Sequence, residues 1–110
     1  PFVVVMRVDT RYRQSVSYVV DDDFEGGYLA ATHLLSLGHR KLGFVGRAAK
    51  GEVLDSFEEE RWLGFTKAHA DAGVPVGPRI QAEWLAPASD KTPPITKAFL
   101  RKIQGLTGLV

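Results

Sequence analysis

The chain of 110 residues contains no cysteine, which removes disulfides, thiolate metal ligands and cysteine nucleophiles from its chemistry. That is compatible with a cytosolic address without establishing one. It has no apolar run approaching the length of a bilayer span, and its start lacks the charged-then-apolar pattern of a signal peptide. It also has no run of five or more like charges, and its net charge is only +1, so charge alone makes no case for a nucleic-acid surface. Catalytic signatures are scarce too. There is no G-x-S-x-G elbow, and His33, His39 and His69 lack the i, i+4 spacing of a helical metal pair. Gly46 to Gly51 has the glycine spacing of a phosphate loop, but Glu52 and Val53 stand where that loop needs Lys and Ser or Thr. No catalytic residue, metal ligand or cofactor is expected.

What is present is an ordinary globular composition, 45% hydrophobic and 25% charged, with at most one domain's worth of chain. The stretch from Asp21 to Gly46 reads as a complete αβ unit. Asp22 or Asp23 can cap a helix start, and Glu25 adds negative charge where the dipole favours it. Gly27, Ala30, Ala31, Leu34, Leu37 and Gly38 follow spacings of three and four, predicting a small apolar face that lies close on a sheet. Gly38 ends the helix, His39 to Lys41 place cationic character at its carboxyl end, and Leu42 to Val45 form a buried strand.

Around this unit, Phe2 to Met6 predicts a buried parallel strand, and Val16 to Val20 a short one. The loop from Arg47 to Asp55 is a candidate pocket wall, since open α/β sheets bind ligands beyond the carboxyl ends of their strands. Ser56 and Glu59 have capping-box spacing at the start of a second helix, whose expected inward stripe is Trp62, Phe65, His69 and Ala72. Arg79 to Leu85 alternates as a strand with one wetter face, nearer a sheet edge. Thr92 and Pro93 open a third helix with Ile95, Ala98, Phe99 and Ile103 inward, and Leu106 to Val110 is a further strand. The alternation argues for an α/β fold, an open parallel sheet of βαβ units. Both ends begin or finish in strand-like sequence, as the middle of a longer polypeptide would.

With Val19 and Val20 ahead of it, the 21–46 stretch resembles the signature of the LacI/GalR family of bacterial transcriptional regulators. The shared features are a valine, an acidic pair, Glu-Gly-Gly, an alanine-rich helix ending His-Leu, then Leu-Gly-His-Arg and an apolar strand ending in glycine. PFVVVMR at residues 1–7, RWLGF at 61–65 and DAGV at 71–74 are similar to that family in the same order. The resemblance implies Rossmann-like lobes of the periplasmic binding protein-like I fold, present as a partial domain. Residues 1–38 would be the end of the N-terminal lobe and 39–110 the first half of the C-terminal lobe. It implies a cytoplasmic, homodimeric regulator whose small-molecule effector, a sugar, binds between the lobes. Operator DNA would be held by an N-terminal helix-turn-helix that these residues do not include. Two rivals are a secreted sugar-binding protein of a transporter and, from another class, an α/β enzyme of flavodoxin-like fold.

The candidate binding residues follow from placement and from the resemblance. Arg61 sits one turn into a helix facing the carboxyl edge of the sheet, and its planar donors suit hydroxyls or an anion; the plainer alternative is an exposed arginine paired with Glu58 or Glu60. The resemblance makes Arg61 the arginine that holds the effector. Phe57, one turn earlier, would line the pocket or staple the helix to the core. Trp84, at the end of a strand, could stack on a sugar face or serve as core. Arg7 and Met6 close the first strand, where the family commonly has aspartate or glycine before the arginine; Met6 removes a hydroxyl acceptor. Asp22 and Asp23 are helix caps near the hinge, with a ligand or interlobe role as the alternative. A neutral polyol fits this set better than a nucleotide, with purine-type effectors left open.

Overall fold

A computed structural model describes residues 2–6, 13–47, 56–82 and 97–110. The elements come in the expected order: β1 (Val3–Met6), β2 (Ser17–Val20), α1 (Asp23–Ser36), β3 (Leu42–Arg47), α2 (Ser56–Ala72), β4 (Arg79–Ala82), α3 (Lys97–Ile103) and β5 (Gly108–Leu109). All described strand pairings are parallel. β1 pairs with β2, Val3 opposite Ser17, while a second sheet has the order β4-β3-β5. Helix connections between parallel strands give the α/β class that the alternation predicts.

Helix α1 starts on the Asp22 carboxylate, which accepts the backbone N–H of Glu25 at 2.9 Å. Of the two aspartates that could cap, Asp22 does so and Asp23 is the first helical residue. The far end closes through Gly38 at φ +94°, a left-handed turn that lets His39 N–H reach back to the Leu34 carbonyl at 3.2 Å. Arg40 completes the cap, donating from Nη1 to the carbonyls of Leu35 and His39, each at 2.9 Å.

The buried face of α1 differs in part from expectation. Gly27 and Ala31 are buried as expected and Leu35 joins them, while Ala30 and Leu37 face solvent. The cause is the neighbour. A Cβ on Gly27 would lie 2.0 Å from the Arg61 carbonyl oxygen, and one on Gly64 would lie 2.0 Å from the Phe24 carbonyl oxygen. The two helices therefore touch backbone to backbone, and the row spaced by four through Gly27 becomes the contact row.

Across this crossing lies the core: Ala31 and Leu35 of α1, Leu42 and Phe44 of β3, Phe65 and Ala68 of α2. Phe44, Trp62 and Phe65 form a mutual triangle with ring centroids 5.4 to 5.7 Å apart. Fully buried Phe65 and Leu42 each contribute about 1.5–3 kcal/mol by leaving water. His69 is fully buried, as the packed stripe predicts, whereas Ala72 at the end of that stripe is exposed. His69 Nδ1 lies 2.8 Å from the Phe65 carbonyl, which can only accept, so Nδ1 carries the proton. Glu59 turns its carboxylate to Arg79 Nη1 at 2.7 Å. Among the described residues β4 is an outer strand with Ile80 buried and Gln81 exposed, as its alternation predicts.

Other expectations are corrected. Phe2 to Met6 is a strand but not a buried one: Phe2, Val3 and Val5 are 74%, 55% and 64% exposed. Edge-to-edge pairing with β2 satisfies backbone groups and covers neither face. On α3, Ala98 is exposed while Phe99 and Ile103 are half-buried; Ile95, Thr92 and Pro93 lie outside the described residues. Residues of α1, β3 and α2 share one core.

Two tests follow from this packing. Gly27→Ala should lower the unfolding free energy by about 1–3 kcal/mol through overpacking. Gly26→Ala, whose Cβ meets nothing within 4 Å, should raise it by about 0.5–1 kcal/mol through helix propensity; urea denaturation of both variants checks the contrast. On the outer side Asp71 accepts from Tyr28 Oη at 2.9 Å and pairs with Lys67. Hydrogen bonds from Lys67 and then Tyr28 lower the Asp71 pKa, and the bond to Asp71 raises those of Lys67 and Tyr28. The carboxylate's stability contribution is therefore full above its ordinary value of 3.8 and lost as pH falls through the lower folded value. That of Lys67 and Tyr28 is full below their ordinary values and lost as pH rises through the higher folded ones. Asp71→Asn should flatten both limbs of a stability–pH curve.

Candidate functional site

The three-stranded sheet dictates where a cleft can open. From β3 the chain passes through α2 to β4 on one side, and β5 returns to the other side of β3. The carboxyl ends of β3 and β5 are therefore neighbours, at the edge where open parallel sheets bind ligands. A cavity of about 620 Å³ lies there. Its floor is the end of β3, Phe44 to Gly46, and Val110 just beyond β5. Val45 and Val110 are tied by the Val45 N–H to the Val110 carbonyl at 2.8 Å. One wall is the start of α1 with Asp21, Asp22 and Asp23; the other is the first turns of α2 with Phe57, Glu58 and Arg61.

The helix crossing assembles these walls. Because Gly27 rests on the Arg61 carbonyl, the first turn of α1 lies beside the second turn of α2. Asp23 Oδ1 accepts from Arg61 Nε at 2.7 Å. The expected alternative, Arg61 paired with Glu58 or Glu60, is not what forms. Glu60 accepts from Arg13 Nη1 at 2.8 Å, and Glu58 lies 3.8 Å from Arg79 Nη2. The Arg61 guanidinium sits 5.5 Å from the centre of the Phe57 ring, within cation–π range. Asp23 is 12% exposed and Arg61 52%: the carboxylate is held, and the arginine reaches out.

The cavity lining therefore carries four carboxylates, Asp21, Asp22, Asp23 and Glu58, against one guanidinium. Asp22 is engaged as the helix cap and Asp23 by Arg61. The Glu58 carboxylate lies over Gly46, where an added Cβ would meet its Oε1 at 2.0 Å. Among the described residues no three His, Cys, Asp or Glu side chains gather as a metal site. A mixed wall of carboxylate acceptors, arginine donors and the rings of Phe44 and Phe57 suits a small polar molecule with an apolar face.

Of the residues expected at the site, Arg61, Phe57, Asp22 and Asp23 come together on this cavity. Met6 ends β1, in the other sheet. Arg7, Trp84 and most of the 47–55 loop lie outside the described residues. Sequence reasoning missed Asp21, Glu58, Phe44 and Val110 as lining. Glu58 carried no signal beyond its place in an acidic helix start, and Val110 reads only as strand.

An open parallel sheet with helices packed on it and a cleft at the carboxyl ends of its strands is the architecture of an α/β lobe, and comparison with known proteins specifies the type. No protein-family model matches the chain. The transcriptional repressor PurR of Mannheimia succiniciproducens, an HTH-type repressor, is 37% identical over 67 residues, 61% of this chain and 18% of the relative. The repressor of the same name from Yersinia pestis is 35% identical over 83 residues, 76% of this chain and 22% of the relative. The crystal structure of a LacI family transcriptional regulator from Enterococcus faecium with bound ribose superposes with a TM-score of 0.57 at 30% identity, covering 76% of this chain and 30% of that one. In sequence and in fold the chain is similar to transcriptional regulators of LacI type, with their periplasmic binding protein-like architecture. It spans about a fifth of the length of the repressors it matches.

Proposed function

We propose that the chain forms part of the effector-sensing core of a LacI/GalR-type transcriptional regulator, and that the cleft at the ends of β3 and β5 takes the effector. The observation that carries this reading is the joint placement of Arg61 and Phe57 on a cavity at the carboxyl ends of β3 and β5. Arg61 donates to hydroxyls, and the Phe57 ring underlies the guanidinium and offers an apolar surface. The effector class is a neutral polyol, most simply a sugar; ribose bound to the Enterococcus faecium regulator supports this choice.

The lobes divide, in this reading, at the short link between β2 and α1, because α1 shares the core of β3 and α2. The cleft then lies at the joint, beside Asp21 and Asp22. A ligand with different affinities for two lobe arrangements shifts their populations and, through them, operator binding elsewhere in a cytoplasmic homodimer. Binding, not turnover, is the proposed activity. Arg7, Met6 and Trp84 remain assigned to the pocket by family resemblance.

A thermal-shift screen of the full-length polypeptide against mono- and disaccharides, sugar phosphates and purines tests the reading. A sugar that raises the melting temperature should lose most of that effect in Arg61→Ala, since stabilisation follows ligand occupancy. A response to sugars indifferent to Arg61 removes the site assignment.

A further inference from the structure

We propose that Asp23 sets the charge selectivity of the cleft: by neutralising and orienting Arg61, it makes the site accept uncharged polyols and turn away anionic ones. This rests on the effector-site reading above. It goes beyond it by assigning Asp23 as a positioning and specificity-determining residue.

The geometry separates the neighbouring aspartates by task. Asp22 caps α1 through the Glu25 N–H, so the helix start does not depend on the Asp23 side chain. The carboxylate of Asp23 instead crosses to α2 and holds Nε of Arg61 at 2.7 Å. Nε is the donor on the stem side of the guanidinium, so engaging it leaves both terminal nitrogens to meet a ligand. With Phe57 against the same group, the arginine is held by a charge and a ring, and its orientation is limited before any ligand arrives.

The charge consequence follows from the lining. Arg61 is the one cationic side chain on the described cavity wall, and Asp23 offsets its charge locally, while Asp21, Asp22 and Glu58 add further carboxylates. A phosphate placed at Arg61 would meet a net negative surround. A hydroxyl responds instead to directional donors and acceptors, which the ion pair supplies without net charge. Asparagine at position 23 would keep a carbonyl acceptor for Nε and remove the neutralising charge.

The test uses the full-length polypeptide with D-ribose, D-ribose 5-phosphate and inorganic phosphate as probes, read by titration calorimetry and thermal shift. Wild type should prefer ribose to its phosphate ester. Asp23→Asn should move the ratio of the two affinities toward the ester by about fivefold, the scale of one partly exposed ion pair. It should also acquire stabilisation by inorganic phosphate that wild type lacks. In an Arg61→Ala background, Asp23→Asn should produce neither change. An unchanged ratio together with no phosphate response in Asp23→Asn overturns the proposal, as does an equal phosphate response without Arg61. If wild type binds no sugar, the sugar reading falls, and the phosphate arm still decides the role of Asp23.

Discussion

The backbone contact between α1 and α2 is the constraint on which the other features depend. Two glycines, Gly27 and Gly64, each face a carbonyl of the opposite helix at a separation no side chain could occupy. Helices usually keep 8–10 Å between axes because side chains intervene; here neither helix interposes one at these points. The close approach selects the row Gly27, Ala31, Leu35 as the inner face and seats Phe65 and Ala68 beneath it. It also brings the start of α1 into register with Arg61. A pair of hydrogen atoms in place of side chains thus fixes both the core and the cleft.

Charge is distributed around that crossing with little left over. From the sequence, Glu58 and Glu60 of α2 read as local partners for Arg61 and Glu59 as the capping-box partner of Ser56. Each instead faces an arginine from elsewhere in the chain: Glu58 and Glu59 face Arg79, and Glu60 faces Arg13. Arg79 also lies over the Trp62 ring at 5.4 Å, so β4 is joined to α2 by charge and by stacking together. Such half-exposed pairs contribute modestly to stability. Their larger effect is on orientation, because they leave Asp23 as the partner of Arg61.

The element order, the parallel pairings and the position of β3 were all legible in the sequence, because period, caps and glycine stops are local signals. The inner side of α1 was legible only in part: spacing gave Gly27 and Ala31 but added Ala30 and Leu37, and contact with another helix, distant in sequence, chose Leu35 in place of those two. The burial of Phe2 to Met6 was over-read for a related reason: β-branching identifies a strand but says nothing about what covers its faces. Within the cleft, Arg61 and Phe57 could be placed from helix geometry and resemblance. Glu58 and the Arg61 partner could not, since both depend on pairings between side chains far apart along the chain.

The aromatic triangle beneath the cleft has an optical consequence. Trp62 lies edge-on to Phe44 with ring centres 5.5 Å apart, and Phe44 is part of the cavity floor. The indole also lies beneath the Arg79 guanidinium, whose terminal nitrogens pair with Glu59 and approach Glu58, itself a wall of the same cavity. An occupant of the cleft therefore alters the polarity and the charge felt by a chromophore it never touches. The fold carries a built-in fluorophore one ring removed from the proposed effector cleft.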